Sequence, residues 1–142
     1  GGFFVRRADG SSGPVTADLA DLYAQSETGL MGIALASNFA QTRTLYTCQG
    51  FQGGGVTDIR IQSWTVDAGW TALTRGAAIL TGIPVDQRRH GGCRILTAAD
   101  GTLFVAPVTR RSDRVAGSEL AGRQDPPHQR RRHPRSRKSG PG

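Results

Sequence analysis

Apolar and polar positions alternate in short runs along most of the chain, at Phe3 to Arg7, Met31 to Ala36, Thr44 to Gln49, Asp58 to Val66, Ala77 to Leu80, Cys93 to Thr97 and Thr102 to Ala106. A period of two over runs of this length predicts β-strands, and Asp58 to Val66 alternates well enough for a half-buried one. Glycine, Asp and Asn separate the runs. Asp9-Gly10 and Asp100-Gly101 are hairpin signals, because glycine accepts the left-handed conformation that a tight turn demands. Only Ala17 to Ser26 has the spacing of a short helix, a turn or two long. The pattern predicts an all-β fold of many short strands.

Two segments share one plan. "GLMGIALASNFAQTRTLYTC" and "GGCRILTAADGTLFVA" both run from glycine through an apolar strand and a polar turn to Thr-Leu-aromatic, with Leu45 and Leu103 standing 58 residues apart. A repeat of that length, made of about four strands, is the size of a propeller blade. One blade cannot bury both of its faces, so several must pack around a ring.

Charge divides the chain. Residues 1–108 hold eight Arg against eight acidic residues, whereas residues 109–142 hold ten Arg or Lys against three acids, so the whole net charge of +7 sits in the tail. A pI near 10.9 therefore describes a tail rather than a folded basic surface. No run of about 18 apolar residues could span a membrane. No charged start followed by an apolar stretch marks a signal peptide. The chain opens Gly1, Gly2 without an initiator Met, so processing or truncation is expected to have removed what came first.

Cys48 and Cys93 lack the CxxC spacing of zinc or thioredoxin-type redox motifs. The favoured reading makes both small, buried, apolar residues. A disulfide, restricted to an oxidising compartment, is the alternative. The aromatic residues Trp64, Trp70, Tyr46 and Phe104 read as core or blade-packing residues.

"SETGLMGIALASNFAQTRTLY" resembles the first-blade signature of the glucose/sorbosone dehydrogenases, the soluble quinoprotein sugar dehydrogenases. "IQSWTVD" resembles that family's next strand and "ILTGIP" its approach to the second blade. "RHGGCRILTAADGTLFV" resembles its most diagnostic segment, His-x-Gly-Gly-Arg-(Ile/Leu) followed by Pro-Asp-Gly-x-Leu-Tyr-Val. These motifs cover about residues 1–106, in the family's order. Cys93 stands where the family has its second glycine, and Arg94 keeps the family's arginine.

The resemblance implies about two blades of a six-bladed β-propeller. It also implies an enzyme that oxidises the anomeric hydroxyl of an aldose sugar with pyrroloquinoline quinone (PQQ), assisted by calcium, in the periplasm or outside the cell. His90 takes the part of the general base that removes the hydroxyl proton. A near-neutral imidazole suits that step. On the residues alone, a histidine beside two arginines in a glycine loop reads more readily as a solvated loop residue, and only the resemblance favours catalysis. Gly91 and Gly92 allow a sharp turn and close approach of a bulky cofactor to the backbone. Arg94 joins them as a cofactor-binding candidate, and Glu27 matches a polar position near the site as a substrate-contact candidate. Arg88 and Arg89 read as solvated, or as a positive rim beside a quinone carboxylate. No metal ligand is assigned in this chain. The calcium ligands and most cofactor-binding basic residues are expected in blades outside it, which would leave the chain by itself a poor enzyme.

Beyond Ala106 the family pattern dissolves into "PVTRRSDRVAGSELAGRQDPPHQRRRHPRSRKSGPG", which has few aliphatic residues and is expected to be disordered. Two readings compete. Seventeen Arg against one Lys imply GC-rich coding DNA, and back-translation in a shifted frame restores family-like segments, so the tail past about residue 106 reads as frameshifted. Alternatively "RRRHPRSRK" is a phosphate-contacting arm. It lacks the interleaved aromatics that bind single strands, and no DNA-reading motif precedes it, so no specific nucleic-acid partner is expected.

Overall fold

A computed structural model describes residues 2–85 and 91–108. In chain order the elements are β1 (Phe3–Arg6), β2 (Ser12–Ala17), β3 (Leu30–Leu35), the single-turn helix α1 (Phe39–Thr42), β4 (Thr44–Gly53), β5 (Val56–Val66), β6 (Ala72–Ile83), β7 (Cys93–Thr97) and β8 (Leu103–Pro107). The fold is all-β, as the alternation requires. Both Asp-Gly turns form: Gly10 and Gly101 each sit at φ 89°, closing β1 onto β2 and β7 onto β8.

Strands β3 to β6 form an antiparallel meander, one complete four-stranded blade. The β7–β8 hairpin is a separate two-stranded sheet and the opening of a second blade. The sequence repeat thus has a structural counterpart, with Leu45 opening the second strand of one blade and Leu103 that of the next. This is a partial propeller. The β1–β2 hairpin joins the first blade's outer edge through a short parallel pairing of β2 with β6, Thr16 opposite Ala72 and Ala17 opposite Leu73.

The core has two parts. Leu45, Trp64, Val66 and Leu73 bury one cluster beneath the β1–β2 hairpin, where Phe3 meets the Trp64 indole edge-on with ring centres 5.8 Å apart. Cys48, Ile59, Ile61, Ile83 and Cys93 form the second, between the blades, with Ile95, Leu103 and Val105 packed against it. Strand β5 serves both, because irregular pairing with β6 between Ile59 and Trp64 shifts the alternation partway along. It is consequently buried more fully than a half-buried strand. Asp58 and Gln62 are buried with it. Each is satisfied: Asp58 accepts from the Arg60 guanidinium and the Gly82 amide, and the Gln62 amide donates to the Gly76 carbonyl at 2.7 Å.

Three expectations are corrected. Ala17 to Ser26 is not a helix but an extended and turning segment, held by an Asp21–Arg75 ion pair at 2.5 Å and by a bridge between Leu22 and Phe51. Cys48 and Cys93 are not free apolar residues; they form a disulfide across 45 positions, with Cα atoms 6.1 Å apart. Of the four aromatics, Trp64 is fully buried and Tyr46 packs on the core, but Phe104 is 60% exposed and Trp70 36%. Trp70 caps a surface turn instead, beneath the Arg43 guanidinium at 4.7 Å from its ring centre. The basic tail from residue 109 onward lies outside the described residues.

Candidate active site

Strand β4 organises one end of the blade. Its Gly50 carbonyl accepts from the Tyr23 amide at 3.1 Å, and its Gly50 amide donates to the Gly29 carbonyl at 2.9 Å, drawing residues 23–29 against the strand. A side chain at Gly50 would overlap the Tyr23 carbonyl, so this approach requires glycine. Within the turn, the Thr28 hydroxyl donates to the Gln25 carbonyl at 2.6 Å and accepts from the Gln25 amide at 3.0 Å. Glu27 is therefore presented from a pinned turn.

Opposite it stands the start of β7. Gly91 is buried, and a Cβ there would overlap the Thr28 methyl group. The Gly92 carbonyl accepts from the Val108 amide at 2.7 Å, tying the end of β8 to the glycine turn. Cys93 follows, bonded to Cys48 in β4. Arg94 comes next and is exposed.

Between these two walls lies a cavity of about 620 Å³. Its lining includes Glu27, Gly92, Cys93 and Arg94, with Leu30, Met31 and Val108 as the apolar part. Three predicted site residues, Glu27, Gly92 and Arg94, thus face one space, and Gly91 lies just behind it against Thr28. His90, Arg88 and Arg89 lie outside the described residues. The cavity carries one acidic and one basic side chain among its lining residues, a combination able to hold a polar ligand that itself bears a carboxylate and hydroxyls.

Sequence reasoning missed Thr28, because nothing in a linear motif signals that it abuts Gly91. It named Cys48 and Cys93 but favoured free, buried thiols over the disulfide that the fold brings together. A second cavity of about 380 Å³, lined by Arg6, Arg7 and Trp70 among others, contains none of the predicted site residues. Among the described residues no group of three or more His, Cys, Asp or Glu could hold a metal ion. Among the same residues no helix is long and apolar enough to cross a membrane.

The chain matches the family model described as Glucose / Sorbosone dehydrogenase over residues 1–124. That span takes in every described residue from Gly2 to Val108 and runs past the last motif legible by eye, at about residue 106. No individually curated protein matches the chain. The fold, the blade repeat and a family match covering most of the sequence agree: this chain belongs to the glucose/sorbosone dehydrogenase family.

Proposed function

We propose that the protein is a PQQ-dependent oxidoreductase that oxidises the anomeric hydroxyl of an aldose. The observation that carries this reading is the meeting of Glu27, Gly92 and Arg94 at one cavity of about 620 Å³, Gly92 and Arg94 belonging to the same sequence motif as His90. Small-molecule sites run from roughly 300 to 1,000 Å³, a range that includes this cavity. Arg94 can meet a quinone carboxylate with two parallel N–H donors. PQQ, when bound, supplies the hydride-accepting centre.

The chain's own residues handle protons and orientation. His90 takes the anomeric hydroxyl proton as hydride leaves the same carbon. Glu27 accepts a hydrogen bond from a neighbouring sugar hydroxyl and fixes the ring's orientation. No described residue is assigned to calcium. The buried Cys48–Cys93 disulfide supports residence in an oxidising compartment, the periplasm or the cell exterior.

The test compares aldose-driven reduction of PQQ by this chain extended to the full six-bladed propeller that the family resemblance implies and by its His90→Ala variant, in the presence of calcium and at matched cofactor saturation. The substitution is expected to slow reduction by about 10² to 10⁴-fold, the usual worth of a general base. Equal rates would remove His90 from the chemistry.

A further inference from the structure

We propose that the Cys48–Cys93 disulfide is the positioning element of the cavity mouth, holding the Gly91–Gly92 turn and Arg94 at a fixed distance from the Glu27–Thr28 turn. The inference rests on the reading of this cavity as the active site. Both walls hang from one strand. Gly50 of β4 holds the Glu27 wall through its hydrogen bonds to Tyr23 and Gly29, and Cys48, two positions earlier on β4, holds the other wall through the disulfide.

Cys48 is a rigid anchor. It is fully buried and lies opposite Gly32 of β3 on one side and Ile61 of β5 on the other. The β7–β8 hairpin, by contrast, shares no backbone ladder with the six-stranded sheet. Its five residue pairs include Cys93 opposite Pro107, which has no amide to donate. A lone two-stranded sheet is marginal. What joins it to the first blade is apolar packing of Ile95, Leu103 and Val105, the close approaches of Cys93 to Gly32 and of Gly91 to Thr28, and the disulfide. Apolar packing is non-directional and permits sliding. The covalent bond, placed between Gly92 and Arg94, does not.

The test is amide hydrogen exchange on the whole oxidised chain and on Cys48→Ala/Cys93→Ala, with PQQ titrated into both. We expect the Val108 amide and the amides of residues 91–95 to lose protection by about tenfold or more, while Ile59 and Ile61 in β5 keep theirs. PQQ affinity is expected to fall by up to roughly a hundredfold, as misplaced binding groups cost. Should the double variant not fold, wild-type chain treated with dithiothreitol gives the same readout. Two electrons and two protons pass to the S–S bond, leaving Cys48 and Cys93 as thiols, while dithiothreitol closes to its cyclic disulfide. Unchanged protection at the mouth, or equal loss in β5, overturns the proposal. If oxidised wild-type chain fails to bind PQQ, the functional reading falls, and the exchange pattern still decides the role of the cross-link.

Discussion

Gly91 lies against Thr28 so closely that a single added carbon would overlap the threonine methyl. Thr28 cannot swing aside, because its hydroxyl is held by both the carbonyl and the amide of Gln25. Gly91→Ala is therefore expected to destabilise the chain by about 1–3 kcal/mol, the usual cost of overpacking. Denaturant unfolding measures it. In Gly91→Ala/Thr28→Ser the methyl is gone and the hydroxyl kept, so most of the loss should be recovered. A Gly91→Ala chain as stable as wild type would mean that the two walls of the cavity are not in contact.

Thr47 joins two buried partners. The Trp64 indole donates to its hydroxyl at 2.9 Å, and that hydroxyl donates to the Gln49 side-chain carbonyl at 2.7 Å. All three residues are essentially buried. Thr47→Val keeps the shape but leaves one donor and one acceptor without partners. Each orphaned group costs about 1–3 kcal/mol, so the variant should unfold at markedly lower denaturant concentration, with unchanged slope.

Asp67 governs the turn that presents Trp70. Its carboxylate accepts from the Ala72 amide at 2.8 Å and from the Thr71 hydroxyl and amide at 2.8 and 2.7 Å. These bonds favour the charged form and lower its pKa from 3.8 to about 2. The contribution of this turn to stability is thus complete above the unfolded-state value and is lost as pH falls through the folded one. Carboxyl titration by NMR should give a midpoint near 2. The turn, with Trp70 held at φ 57°, should persist at pH 4 in wild type and be loosened at neutral pH in Asp67→Ala.

Arg75 anchors the segment that the sequence made look helical. It pairs with Asp21, which lowers the Asp21 pKa, and it donates to the Asp18 carbonyl at 2.9 Å. Both side chains of the pair are about a quarter exposed, so Arg75→Ala should cost only about 1 kcal/mol overall. The effect should be local, with faster exchange at the Leu22 amide, which donates to the Leu19 carbonyl within the turn, and at the Gln52 amide of β4, which donates to the Asp21 carbonyl.

The strands with clean alternation or Asp-Gly turns were legible because their signals are local: β1, β5, β7 and β8 lie where the pattern put them. Strand β2 was not, since Ser12–Ala17 has only Val15 and Ala17 as apolar side chains of a strand pattern and carries Pro14, which sits where β2 pairs with β1 alone, short of its pairing with β6 at Thr16 and Ala17. Leu19, Leu22 and Tyr23 have helical spacing, yet tertiary partners decided that segment: Leu19 joins the Trp64 cluster, and Leu22 bridges to Phe51. The candidates Glu27, Gly91, Gly92 and Arg94 come from motif order alone. That Glu27, Gly92 and Arg94 face one cavity does not, because Glu27 and Arg94 belong to different blades and meet only when β7 docks on β3. With only two cysteines the pairing itself was never in question, but whether Cys48 and Cys93 meet at all depends on how β7 docks on the first blade, so the disulfide stayed an alternative reading.

The most direct measurement is an equilibrium titration of PQQ into the oxidised chain, alongside Arg94→Ala and Gly92→Leu. The account predicts saturable one-to-one binding, weakened by roughly tenfold on loss of the Arg94 guanidinium and abolished when a leucine side chain fills the wall at Gly92. Absence of saturable binding, or equal affinity in all three proteins, would contradict it.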